Sequence, residues 1–185
     1  MEKLKEAPEL ETARLKLRAH RWDDFAAFAA MWADPIVARY TSGTPLSEEE
    51  SWTKLLRYAG HWSLLGFGYW AVEDKETSRF IGELGFADYK RDIRPSLGNT
   101  PEAGWIFSPA AHGKGYASEA LREVFAWGDA RFAHAPTVCL IHPENAPSIR
   151  LAAKFGYEEL QRTTYKDRDV ILFSRHWDQR VAAAL

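Results

Sequence analysis

The residues of this chain that are best suited to bind a ligand form a glycine-rich turn. Residues 112–120 read His-Gly-Lys-Gly-Tyr-Ala-Ser-Glu-Ala and stand between an apolar strand pattern and a strongly periodic helix pattern. Two glycines and an alanine let the backbone approach a bulky ligand closely. The first N–H groups of a helix lack partners within the helix and lie at its positive end, so this turn predicts an anion site that suits a pyrophosphate.

The spacing within the turn disfavours two common nucleotide-binding motifs. A P-loop needs Gly-Lys followed by Ser or Thr, whereas Gly115 follows Lys114 here. A dinucleotide fingerprint needs a third glycine where Ser118 stands, and it comes early in a parallel βαβ unit rather than after four strands. Taken alone, the glycines are also compatible with a simple turn that opens a helix.

Other reactive residue types are few and scattered. Cys139 is the only cysteine and lies in an apolar strand pattern, so we expect an inert core thiol. The six histidines form neither a His-x-His nor a His-Glu-x-x-His pair, and we therefore expect no metal site.

Composition defines the class of protein. The chain has 185 residues, of which 46 % are hydrophobic and 27 % charged, which is typical of one globular domain. A net charge of −2 supplies no basic surface for general nucleic-acid binding. The first residues carry charges of both signs, and no apolar run approaches the roughly 20 residues that a membrane span needs. We therefore expect a cytoplasmic protein without membrane contact.

The hydrophobic patterns predict the elements that must position the turn. They indicate a mixed α/β sheet of six to seven strands in the order β-α-α-β-β-β-α-β-α-β-β. The expected strands are 15–19, 69–72, 80–86, 103–107, 137–141, 157–162 and 170–174. The expected helices are 22–33, the segment from a capping box at Ser47 to Gly66, 118–132 and 148–155. We expect a polar lead-in at 1–12, one domain at 13–178 and a tail at 179–185.

These motifs resemble those of the GCN5-related N-acetyltransferase (GNAT) superfamily, whose signature is Gln/Arg-x-x-Gly-x-Gly/Ala after the fourth strand. Gly115 and Ala117 match its last positions, and His112 stands where Gln or Arg is usual. The chain is most similar to the ribosomal-protein (RimJ/RimL-like) branch. The matching blocks are 14–18, 34–35, 80–82, 113–120, 145–148 and 154–157. The resemblance implies the GNAT fold, with a splay between the fourth and fifth strands.

The resemblance also implies an activity. It indicates an acetyl-CoA-dependent N-acetyltransferase, an acyltransferase that moves an acetyl group from its cosubstrate acetyl-CoA to a primary amine. The expected acceptor is a protein N-terminal amine that attacks directly in a ternary complex. Acetylation of a small amine (an amino acid, a polyamine or an aminoglycoside) is the alternative, and a non-catalytic acyl-CoA-binding module is a more remote one. A monomer or a homodimer is expected.

Donor-binding residues follow from the same resemblance. The backbone of the fourth strand is expected to hold the thioester, the turn to hold the pyrophosphate, and the start of the last helix to meet the pantetheine arm. The residues concerned are Trp105, Ile106 and Phe107; His112, Gly113, Lys114, Gly115, Tyr116 and Ala117; and Asn145 and Ser148.

The catalytic residues are less well defined by the motifs. Glu102 lies where the family often has a carboxylate and is expected to be the general base, although a solvated charge at a strand end is an equal alternative. Glu83 is a second candidate. Many members have a tyrosine as general acid where Ala152 stands here. Ser148 is the expected substitute, with a hydroxyl that only satisfies the helix start as the alternative.

The acceptor is expected to bind at the loops, because loops carry specificity. The two segments are 35–46 and 89–101. The substrate-binding candidates are Arg39 and Tyr40 from the first segment, together with Glu83.

Overall fold

The computed structural model describes residues 4–176. The chain forms two compact units, one of Met1–Ala87 with Gly104–Val124 and the other of Asp88–Ala103 with Phe125–Leu185. The expected tail at 179–185 and the first three residues of the expected lead-in lie outside the described residues. No helix among residues 4–176 is long and apolar enough to cross a membrane.

The first unit contains four antiparallel strands with helices packed on them. In sheet order the strands are β1 (Leu10–Glu11), β2 (Leu15–Arg18), β3 (Tyr69–Asp74) and β4 (Arg79–Ala87). The helices are α1 (Phe25–Trp32), α2 (Pro35–Ala38), α3 (Glu48–Leu65) and the start of α4 (Tyr116–Arg131), and most of β5 (Glu102–Phe107) belongs here too. Strand β1 is an eighth strand beyond the six to seven expected, and it lies in the segment expected to be a lead-in.

The second unit contains the end of α4 and a three-stranded antiparallel arrangement. Its elements are β6 (Thr137–Ile141), α5 (Ala146–Lys154), β7 (Glu158–Tyr165) and β8 (Arg168–Arg175), and β8 pairs with both β6 and β7. The first residue of β5, Glu102, pairs in parallel with Val138 of β6. This parallel pair makes the sheet mixed, as expected.

In helix α3, hydrogen-bond partners as well as hydrophobicity determine which side chains are buried. The Ser47 capping box is present, with Glu50 bonded back to the Ser47 N–H at 2.8 Å. Leu56 is apolar, but its side chain is 52 % exposed. Tyr58 and Trp62 are buried instead, because each finds a partner for its polar atom: Tyr58 donates to Glu83 at 2.7 Å, and Trp62 donates to the Tyr69 carbonyl at 3.0 Å.

The expected first helix begins three residues late. Residues Trp22–Asp24 form a single 3-10 turn before α1, and Trp22 is 70 % exposed rather than part of the core. The turn brings the Asp24 carboxylate to the Arg21 N–H at 2.7 Å and to the Arg18 guanidinium. A buried ion pair therefore sets the start of the helix.

Arg18 is the best-anchored buried charge of this unit. Its guanidinium binds both oxygens of Asp24 at 2.7 Å and Glu73 at 2.7 Å, and it is almost fully buried. Burial raises the pKa of Asp24, but the hydrogen bonds from Arg18 and from the Arg21 N–H outweigh it, so the pKa lies below its usual value. Asp24 thus contributes stability above its unfolded pKa, and the contribution is lost as pH falls through the lowered folded pKa.

Replacing Asp24 with Asn should therefore destabilise the fold substantially. We expect the free energy of unfolding at pH 7 to fall by about 2–4 kcal/mol, because Arg18 stays buried and Glu73 is the one charged partner that the described contacts leave it. Glu159→Gln, which removes a partner from the exposed Glu159–Arg162 pair, should cost less than about 1 kcal/mol. Urea unfolding of both variants measures the difference, and equal small losses would show that the buried pair does not stabilise the fold.

Candidate functional site

The turn before α4 adopts the conformation that the glycines predict. Gly113 and Gly115 have φ of 73° and 78°, the left-handed region that glycine enters without a Cβ penalty. Residues 112–115 are exposed, and α4 begins at Tyr116, two residues earlier than expected. A Cβ placed on Gly113 would meet nothing within 4 Å. Open space therefore lies at Gly113 in the turn, as a bound pyrophosphate requires.

Three side chains fasten this turn to the strands of the same unit. His112 donates from Nε2 to the Phe107 carbonyl at 2.9 Å. Tyr116 donates to Asp74 at 2.8 Å, and this hydrogen bond raises the pKa of Tyr116. Arg14 donates to the Lys114 carbonyl at 3.0 Å. His112 thus ties the turn to β5 from the position where the family signature has Gln or Arg.

Strand β5 leads into the turn and presents the backbone segment expected to hold a thioester. Trp105 and Ile106 are half-buried, and Phe107 is buried. Ser108, just after the strand, donates its N–H to the Ile81 carbonyl of β4 at 2.9 Å. The segment is therefore held on its β4 side.

Asn145 and Ser148 lie at the start of α5 in the second unit. The Asn145 side chain accepts from the Ser148 N–H at 3.3 Å and so caps the helix, as this residue type usually does. Both side chains are half-buried. Ala152, one turn further along, is buried. A role for Asn145 or Ser148 towards a ligand stays a prediction.

Glu102 is held by a partner that sequence reasoning missed. Its carboxylate is 6 % exposed as a residue and accepts from Nε and Nη2 of Arg91, each at 2.6 Å. The Arg91 guanidinium lies over the rings of Tyr89 at 4.7 Å and Tyr165 at 4.8 Å. The alternative of a solvated strand-end charge is therefore wrong. Arg91 lies in an irregular loop, and no periodicity connects it with Glu102.

Glu83 lies in the core of the first unit. It has no solvent exposure, and one carboxylate oxygen accepts from Tyr58 at 2.7 Å and from Trp32 at 3.2 Å. The other oxygen lies 3.5 Å from Nε2 of His20. The aromatic residues around Glu83 thus separate its carboxylate from solvent in this conformation.

The first acceptor segment is partly helical. Pro35–Ala38 form α2, capped by Asp34, whose carboxylate accepts from the Ile36 N–H at 2.8 Å. Arg39 is exposed, and its guanidinium lies 4.9 Å from the ring centroid of the half-buried Tyr40. This pair presents a charge and an aromatic surface together.

Two further expectations concern residues without a role in the site. Cys139 is buried, and burial raises the pKa of its thiol well above the usual value, as an inert core cysteine requires. Among residues 4–176 there is no group of three or more His, Cys, Asp or Glu side chains that could hold a metal ion.

Known proteins match this chain over most of its length. The family model "Acetyltransferase (GNAT) domain" matches residues 14–158. An uncharacterized N-acetyltransferase, p20 of Bacillus licheniformis, is 29 % identical over 172 residues, covering 89 % of this chain and 94 % of the relative. A putative GnaT-family acetyltransferase from Bordetella pertussis has a similar structure, with a TM-score of 0.81, 29 % identity, and coverage of 91 % of this chain and 99 % of that one.

The chain belongs to the GNAT family and is an acetyltransferase. Its fold is also that of RimL, a ribosomal L7/L12 α-N-protein acetyltransferase solved in complex with coenzyme A, with a TM-score of 0.73 and 15 % identity over 92 % of this chain and 99 % of RimL.

Because Glu83 is fully buried, we predict that it does not act as the general base. Glu83→Gln keeps an oxygen for Tyr58 and Trp32, so we expect a folded protein whose kcat stays within about threefold of the wild type. Glu83→Ala leaves both donors without an acceptor and opens a cavity, and we expect it to lower the free energy of unfolding by about 3 kcal/mol. Urea unfolding and a thiol-release assay distinguish the two. A folded Gln variant with kcat lowered by about 100-fold or more would instead identify Glu83 as a base.

Proposed function

We propose that the chain transfers the acetyl group of acetyl-CoA to a primary amine, with a protein N-terminal amine as the preferred acceptor in a ternary complex. The observation that carries the proposal is the exposed turn at 112–117, where two left-handed glycines lead into α4. Membership of a family whose acetyltransferases use acetyl-CoA supports this donor.

The donor half of the site follows from backbone groups. The pyrophosphate is assigned to the N–H groups of residues 113–117 at the positive end of α4, since the His112 N–H already donates to the Pro109 carbonyl at 3.1 Å. The thioester carbonyl, and the oxyanion that forms from it, are assigned to those N–H groups of the segment Trp105, Ile106 and Phe107 that point away from β4, because successive N–H groups of a strand alternate in direction and fixed donors stabilise charge that develops in the transition state. Asn145 and Ser148 are assigned to the pantetheine arm.

Proton removal from the amine is assigned to Glu102. An amine attacks only when neutral, and a free amine is mostly protonated at pH 7. Arg91 uses one acceptor site on each oxygen of Glu102. An ionised carboxylate has about four such sites, so each oxygen keeps one for the amine or for a water that relays its proton. Arg91 thus fixes the direction in which Glu102 accepts.

Assistance to the leaving thiolate is assigned to Ser148. The usual tyrosine position is Ala152, which has no polar atom. A serine hydroxyl is a weak acid, and the Asn145 cap holds the backbone beside it. Ser148 therefore orients the sulfur while solvent supplies most of the protons.

RimL, whose fold this chain shares, is a protein α-N-acetyltransferase, which supports the choice of acceptor and a place in the RimJ/RimL-like branch. The test is thiol release from acetyl-CoA with peptides of free N-terminus, free amino acids, polyamines and aminoglycosides. Preference for peptides supports the proposal, and preference for a small amine supports the alternative acceptor. Thiol release with none of them, at acetyl-CoA concentrations that saturate binding, contradicts the enzymatic role at these acceptors.

The turn generates a prediction with a matched control. Gly113 and Gly156 have φ of 73° and 80°, and a Cβ on either meets nothing within 4 Å. Aspartate tolerates this conformation better than most residues, so both Gly→Asp variants should fold similarly. Gly113→Asp places a negative charge beside the pyrophosphate and should raise the KM for acetyl-CoA by about tenfold or more. Gly156→Asp should leave the KM for acetyl-CoA unchanged. Equal KM values in the two variants would contradict the phosphate assignment.

A second prediction concerns Glu102. Glu102→Gln keeps the shape of the side chain and an oxygen for Arg91, but it removes the basic group. We expect kcat/KM to fall by about 10²–10³-fold, because general base assistance is worth about this much. The exposed Glu144→Gln should leave kcat/KM unchanged. An unaltered kcat/KM in a folded Glu102→Gln variant would exclude Glu102 as the base.

A further inference from the structure

The segment between β1 and β2 reaches across to the start of α4 within the first unit. The Glu119 carboxylate, in the first turn of α4, accepts from the Thr12 hydroxyl at 2.5 Å and from the Arg14 backbone N–H at 3.0 Å. It also accepts from Arg14 Nε at 2.8 Å and lies 2.6 Å from Arg14 Nη2. Two residues near the N-terminus thus saturate one carboxylate.

The same arginine also holds the turn itself. Arg14 Nη1 donates to the Lys114 carbonyl at 3.0 Å, and its guanidinium lies 4.5 Å from the ring centroid of Tyr116. The Tyr116 hydroxyl is in turn bonded to Asp74. Arg14 therefore contacts the turn on both sides of Gly115, whose added Cβ would lie 3.6 Å from Arg14 Nη2.

The negative charge of Glu119 gives its contacts with Arg14 a second consequence. Glu119 lies near the helix N-terminus where the turn would receive a pyrophosphate, and a bare carboxylate there would repel the ligand. Burial raises the pKa of Glu119, but the hydrogen bonds from Thr12 and Arg14 outweigh it and hold the pKa below its usual value, so the group stays ionised. Among the described contacts, the Arg14 guanidinium is the one positive group that pairs with the Glu119 carboxylate.

We propose that Arg14 is a positioning residue for the donor: it fixes the 112–117 turn through the Lys114 carbonyl and neutralises Glu119 beside the pyrophosphate. The inference rests on the proposed function, because it assumes that the turn binds the pyrophosphate of acetyl-CoA. Arg14 is half-exposed and belongs to none of the hydrophobic core, so its replacement leaves the core contacts in place.

The test measures thiol release with two donors, acetyl-CoA and S-acetylpantetheine, which lacks the pyrophosphate. The acceptor is the amine that reacts fastest in the panel above. Arg14→Gln should raise the KM for acetyl-CoA about tenfold, since a charged hydrogen bond is lost, and should leave kcat within about twofold. Its kcat/KM with S-acetylpantetheine should equal that of the wild type. Arg14→Lys keeps the positive charge but loses the planar guanidinium with its several donors. Its KM for acetyl-CoA should lie between those of the wild type and Arg14→Gln.

Two further variants separate charge from general damage. Arg14→Gln/Glu119→Gln should recover part of the affinity lost in Arg14→Gln, because the unpaired carboxylate is gone. Arg162→Gln breaks an exposed Arg–Glu pair on β7 and should change neither donor's kinetics.

The possible outcomes distinguish failure of the Arg14 role from failure of the proposed function on which it rests. An unchanged KM for acetyl-CoA in Arg14→Gln, or equal losses with both donors, would overturn the role of Arg14 while leaving the donor site in place. No recovery in the double variant would overturn the charge argument. A wild-type enzyme that uses both donors equally well would instead overturn the phosphate assignment of the turn, and the inference with it.

Discussion

An exposed turn binds an anion more tightly when its backbone N–H groups are fixed before the ligand arrives, and the proposed phosphate site of the first unit meets this condition. Left-handed glycines at 113 and 115 shape the turn, and helix α4 supplies its positive end. His112, Tyr116 and Arg14 then fasten it to β5, β3 and the segment before β2. Preorganisation of this kind lowers the entropy lost when a flexible ligand binds.

The proposed role of Glu102 as base depends on a different principle, the direction of its carboxylate. Glu102 begins β5 at the one residue pair that this strand shares with β6 in the described chain. The Arg91 guanidinium, which lies over the rings of Tyr89 and Tyr165, donates to both oxygens of Glu102. Such a pair fixes the direction of the carboxylate, which the proposed role of Glu102 requires.

The sequence predicted those features that depend on local pattern. The capping box at Ser47 and the strand at 137–141 are confirmed, since each depends on neighbouring residues. Features that depend on distant partners were missed. Arg91 bonds Glu102 across eleven positions and Arg14 bonds Glu119 across 105, and no spacing rule connects such residues. The hydrogen bond from Tyr58 of α3 to Glu83 is a further contact of this kind.

The central claim is that the turn at 112–117 is a coenzyme A site rather than a general nucleotide site. Isothermal titration calorimetry of the wild-type protein with acetyl-CoA, ATP and NAD⁺, under identical conditions, tests it most directly. The account predicts saturable binding of acetyl-CoA at one site per chain, with at most weak binding of the other two. Binding of ATP or NAD⁺ without binding of acetyl-CoA would contradict it.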